Sequence, residues 1–163
     1  SVVGGSLRSS RKLTRMMKYL NARVWLLVLG AMMVVGGVAN ILGAEDIATD
    51  QWTGAAGREL DIATGLEVAW GLKIVLIGVA VVLVTLLTHG AAQARFGAVT
   101  TVTFVIGEIS TVSYLESKGY GEDASMPWAM VLIPALLVLI TLIACLVHWN
   151  GPAETEPAVY SET

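Results

Sequence analysis

Four stretches of the chain, residues 24–42, 68–88, 96–115 and 126–147, are almost free of charge. Each runs for about 19–22 residues, the length at which an α-helix covers a hydrocarbon core of about 30 Å. In lipid only helices and closed barrels satisfy every backbone N–H and C=O, and these runs lack the alternation of apolar and polar residues that barrel strands need. Composition agrees: with 55% hydrophobic and 14% charged residues and a mean hydropathy of +0.72, the chain is too apolar for a soluble domain of its size. The expected fold is all-α, a polytopic membrane protein built as a four-transmembrane-helix bundle. Its divisions are a basic amphipathic segment at 1–23, a membrane domain at 24–148 with an outer loop at 43–67, and an acidic tail at 149–163.

Charge orients the bundle. Arg8, Arg11, Lys12, Arg15, Lys18 and Arg23 precede or open the first helix, which by the positive-inside rule places the N-terminus in the cytoplasm. The connections at 43–67 and 116–125 are acidic and fall outside, whereas the short turn HGAAQAR carries Arg95 and falls inside. Four crossings return the C-terminus to the cytoplasm. The first apolar run is longer than a secretory signal core and no small-residue cleavage site follows it, so it is read as a retained helix. Arg8, Arg11, Lys12, Arg15 and Lys18 also alternate with Leu13, Met16, Met17 and Leu20 at helical spacing. Setting orientation is the first reading of this cluster, and docking on anionic inner-leaflet lipids the second.

One carboxylate interrupts the third run. Glu108 lies in TFVIGEISTVSYL, and Lys73 interrupts the second run. The turn between these helices is short, so they are expected to be antiparallel neighbours, and counting outward from it at 1.5 Å per residue brings the two charges to nearly the same depth. An isolated charge in hydrocarbon is expensive, and pairing offsets much of that. A Lys73–Glu108 ion pair is therefore expected, facing the bundle interior and supported by hydroxyls of Thr101, Thr103 or Thr111. Pro134, which cannot donate to the carbonyl of Met130, is expected to loosen the fourth helix at a comparable height. The other reading of Glu108 is proton transport, against which stands the expectation that no second acid lies along any span.

In the first helix Gly36, Gly37, Ala39, Asn40 and Gly43 form a small-residue packing face whose neighbour, within the chain or in a partner, stays open. Trp25, Trp70, Trp128 and Trp149 lie near span ends as interfacial anchors. His89 and His148 both fall near cytoplasmic helix ends. They are read as polar end residues rather than axial haem ligands, and no cofactor or metal is expected. The one cysteine, Cys145, excludes an internal disulfide. No phosphate-binding loop, zinc spacing or nucleophile triad occurs, and the bases are topogenic, so nucleic acid is not an expected partner.

The tight basic turn within GLKIVLIGVAVVLVTLLTHGAAQARFGAVTTVTFVIGE and the four short helices resemble DoxX-like small membrane proteins. In size, in its long acidic outer loop and in lacking an active-site motif, the chain also resembles accessory subunits of actinobacterial respiratory supercomplexes. There, small helical proteins flank the cytochrome bcc and oxidase cores. The resemblance implies a non-catalytic subunit that assembles or stabilises a larger membrane complex, with other integral membrane subunits, cytochrome bcc or oxidase chains among them, as partners. The alternative is a small proton-coupled transporter or membrane enzyme using Glu108.

Overall fold

The computed structural model describes residues 20–119 and 128–151. The basic cluster Arg8, Arg11, Lys12, Arg15 and Lys18 and most of the acidic tail lie outside the described residues. Among the described residues five helices make an all-α fold: α1 (Ala22–Leu42), α2 (Ala44–Gln51), α3 (Arg58–Leu87), α4 (Gly90–Glu116) and α5 (Trp128–Val147). Among the described residues α1, α3 and α4 are long and apolar enough to cross a membrane, and Val131–Val147 of α5 forms a shorter apolar helix.

The helices reach beyond the apolar runs. α3 begins at Arg58 rather than near 68, and α4 at Gly90 rather than near 96, so the region expected as an outer loop at 43–67 holds α2 and the first turns of α3. Glu59 and Asp61 occupy the first turn of α3, where carboxylates complement the helix dipole. Ala48 of α2 and Ala63 of α3 are fully buried against each other, with Trp52, Leu60 and Leu115 packed around them. Apolar spacing on one flank thus carries a polar segment into the helix.

The interior is organised around α1. Its most extensive contact is with α3, and it also touches α4 and α5. The α1–α3 contact is antiparallel and runs over glycines spaced seven apart on each helix, Gly30 opposite Gly78 and Gly37 opposite Gly71. A Cβ on Gly37 would lie 2.7 Å from the Gly71 carbonyl oxygen, and one on Gly71 would lie 2.7 Å from that of Gly37. At the other crossing a Cβ on Gly78 would stand 2.8 Å from the Gly30 oxygen. Backbone therefore rests on backbone, as small residues permit where lipid supplies no hydrophobic drive between helices.

On the other side of α1, Gly97 of α4 admits Leu26 and Cys145, each within 2.7 Å of where its Cβ would be. Leu26, Val81, Ala94, Ala98 and Cys145 form the inner core. Above it, Leu29, Met33 and Leu137 are packed by Ile74, Ile77 and Phe104. The α3–α4 turn closes with Gly90 at φ +60°, a left-handed conformation that glycine adopts without a Cβ clash. Gln93 clamps it, its amide donating to the carbonyls of Thr85 (2.6 Å) and Thr88 (2.8 Å). Beyond this turn α3 and α4 touch sparsely, because the facing surface of α3 is given to α1.

Candidate functional site

Lys73 Nζ lies 2.6 Å from Glu108 Oε1, bridging α3 and α4. Lys73 stands about 21 Å along α3 from its Leu87 end and Glu108 about 27 Å along α4 from Gly90, so the backbones are not level. The offset closes because side chains lean toward the N-terminus of their own helix. In antiparallel neighbours that tilts Lys73 away from the α3–α4 turn and Glu108 toward it. The same lean carries the ammonium over the Trp70 ring, 4.8 Å from its centroid, an attraction of the cation to the ring face.

The pair does not face a sealed interior. Lys73 and Glu108 retain 39% and 22% side-chain exposure, on a flank where Leu66, Leu76, Ile109 and Val112 are also exposed. The hydroxyls considered as helpers are committed elsewhere or turned away. Thr111 donates to the carbonyl of Gly107 in its own helix (2.8 Å), Thr103 is exposed, and Thr101 is buried nearer the inner core. Among the described residues none of the three donates to Glu108. Pro134 lies within α5, which runs through it without a break.

A second carboxylate sits within two turns of Lys73. Glu67, read from the sequence as part of the outer loop, is in α3 and only 4% exposed. Asn40 Nδ2 donates to its carbonyl oxygen (2.8 Å) and to its Oε2 (3.1 Å). The expectation that no second acid lies along a span is thereby corrected. Its physical origin is the early start of α3, which turns a loop acid into a helical one. Asn40, Glu67, Trp70, Lys73 and Glu108 form a polar layer. It lies between the apolar cluster of Leu29, Met33 and Leu137 and the cluster of Ala48 and Ala63.

The small-residue face of α1 divides. Gly37 meets Gly71 and Asn40 meets Glu67 within the chain, whereas Gly36 and Ala39 are exposed and no atom lies within 4 Å of where a Gly36 Cβ would be. Gly43 caps α1, its N–H donating to the Ala39 carbonyl (2.9 Å). Gly30, Gly71 and Gly78, outside the face expected from the sequence, complete the seam with a seven-residue recurrence at 30/37 and 71/78. That recurrence was the available signal.

His89 precedes α4 and is exposed, while His148 Nδ1 lies 2.9 Å from the Ala144 carbonyl of its own helix. No group of three or more His, Cys, Asp or Glu side chains placed to share a metal ion occurs among the described residues. Arg95 Nε donates to the Trp149 carbonyl (3.1 Å), tying the start of α4 to the end of α5.

The Asn40–Glu67 contact yields a direct prediction. Asn40→Ala removes both amide hydrogen bonds across the α1–α3 seam, and a loss of about 1–2 kcal/mol is expected, the upper part of the range for polar contacts between membrane helices because one acceptor is a carboxylate. Reversible unfolding in mixed micelles measures it; an unchanged midpoint would show that the amide contributes nothing. Comparison with known proteins adds no relative to this geometry: no protein-family model, no curated protein and no solved structure matches the chain.

Proposed function

We propose that this protein is a non-catalytic subunit of a larger membrane assembly, held there through the flank of α3 and α4. The observation that carries the reading is the half-exposed Lys73–Glu108 pair. Lipid tails offer neither hydrogen bonds nor dielectric to two charges, whereas a polypeptide packed over them can supply both. In this reading α5 crosses the membrane with α1, α3 and α4, both termini are cytoplasmic, and the membrane is the bacterial plasma membrane. The likeness to respiratory accessory subunits makes a cytochrome bcc–oxidase assembly the first complex to test. Mild-detergent extraction from native membranes followed by mass spectrometry is the test. Stoichiometric recovery with other integral membrane chains supports the proposal, and a lone chain recovered under conditions that keep known complexes intact refutes it.

A second reading draws on Glu67. With Glu108 it places two carboxylates in one polar layer, separated along α3 by Lys73 and Trp70, an arrangement from which a proton-coupled transporter could be built. Proton flux in proteoliposomes that disappears in both Glu67→Gln and Glu108→Gln, with assembly intact, would favour it over the first.

A further inference from the structure

We propose that the chain covering the Lys73–Glu108 flank is a second copy of this protein, related by a two-fold axis along the membrane normal. The inference rests on the reading that this flank is covered by polypeptide, and it names the occupant. Its basis is the charge arrangement. The flank presents one cation on α3 and one anion on α4, side by side, 2.6 Å apart and both still accessible. A two-fold axis along the normal brings two such flanks face to face with α3 of each copy opposite α4 of the other, and it leaves depth unchanged. Lys73 then meets the partner's Glu108 at its own height without any adjustment of register. Four charges alternate around a ring, and each ammonium lies between two carboxylates.

The surroundings suit such a contact. On α3, Ala69 and Leu76 lie one turn above and below Lys73 on the same strip, and on α4 Val112 lies one turn above Glu108; all three are exposed. They give the ring an apolar border. A partner lacking charges would instead leave the pair with only its own internal compensation.

Charge swaps separate contact within a chain from contact between chains. Two differently tagged copies are co-expressed, extracted in native nanodiscs and captured through one tag. Wild-type copies are expected to co-purify. Lys73→Glu alone and Glu108→Lys alone each put like charges within a chain and across the axis, and at least a tenfold fall in co-capture is expected for each. Mixing the two single variants leaves like charges inside every chain and restores opposite charges only across the axis, so recovery of co-capture in the mixture is the expected and specific result. Co-capture that is unaffected by either swap, or lost in the singles and not recovered in the mixture of folded chains, overturns the proposal.

Should the swapped chains fail to fold, cysteine pairing in the Cys145→Ala background tests the same face. Ala69→Cys in one tagged copy and Val112→Cys in the other should cross-link, while Val38→Cys paired with Val38→Cys on α1 should not; absence of the first cross-link in folded chains refutes the two-fold. Recovery of other membrane chains with only one copy of this protein would refute the second copy and leave the assembly role standing. A lone chain would refute both.

Discussion

Gly37→Leu is expected to be the most damaging single change outside the polar layer, separating α1 from α3 and lowering the unfolding midpoint sharply. A Cβ alone at this position would stand 2.7 Å from the Gly71 carbonyl oxygen and 2.9 Å from the Val75 nitrogen, so the obstacle is backbone that cannot rotate away. Overpacking by a methyl in a close-packed interior costs typically about 1–3 kcal/mol, and a leucine here forces the helices apart along the whole seam, for which about 3 kcal/mol or more is expected. The neighbouring residue is the control. Gly36→Ala adds its methyl to open space on an exposed face and should be neutral or stabilising by up to about 1 kcal/mol, from helix propensity alone. Thermal unfolding of the two variants in one detergent reads the difference. Equal midpoints would remove the glycine seam as the organising contact of the fold.

The second large effect is expected at the ion pair. Lys73→Met leaves Glu108 on an apolar flank without its cation, and removing one partner of a fully buried pair costs about 3–5 kcal/mol. Exposure of the pair reduces that here, so a loss of roughly 1–3 kcal/mol is expected. Lys73→Met combined with Glu108→Met should recover most of it, because the double variant leaves no uncompensated charge. A full double-mutant cycle in mixed micelles checks this. A double variant as unstable as Lys73→Met alone would show that the side chains act through packing, such as the lysine stem over Trp70, rather than through charge.

Much of the architecture could be read from hydrophobicity, and the part that could not was set by rotation about helix axes. Apolar runs mark where a helix crosses lipid. They do not mark where it ends, since the polar residues 58–66 continue α3 by burying Ala63 against Ala48 while Glu59 and Asp61 stay outside. That extension carried Glu67 from an assumed loop into the α1–α3 seam. The ammonium of Lys73 and the carboxylate of Glu108 meet although counting along the helices leaves their backbones about 6 Å apart in height, because each side chain leans toward the N-terminus of its own helix. Their exposed direction is not set by counting, for it depends on which face of α3 is given to α1, and that is decided by Gly71 and Gly78. Two glycines in a run rich in valine and leucine signal close approach only when their spacing is compared with that of the helix they meet.

The glycine seam also bears on how the protein is made. α1 and α3 precede α4 and α5 along the chain, and their glycine backbones meet directly. Their hairpin can settle before α4 and α5 have been synthesised, as N-terminal parts of a nascent chain generally do. The later pair then arrives at a template already set, with Leu26 waiting for the gap at Gly97.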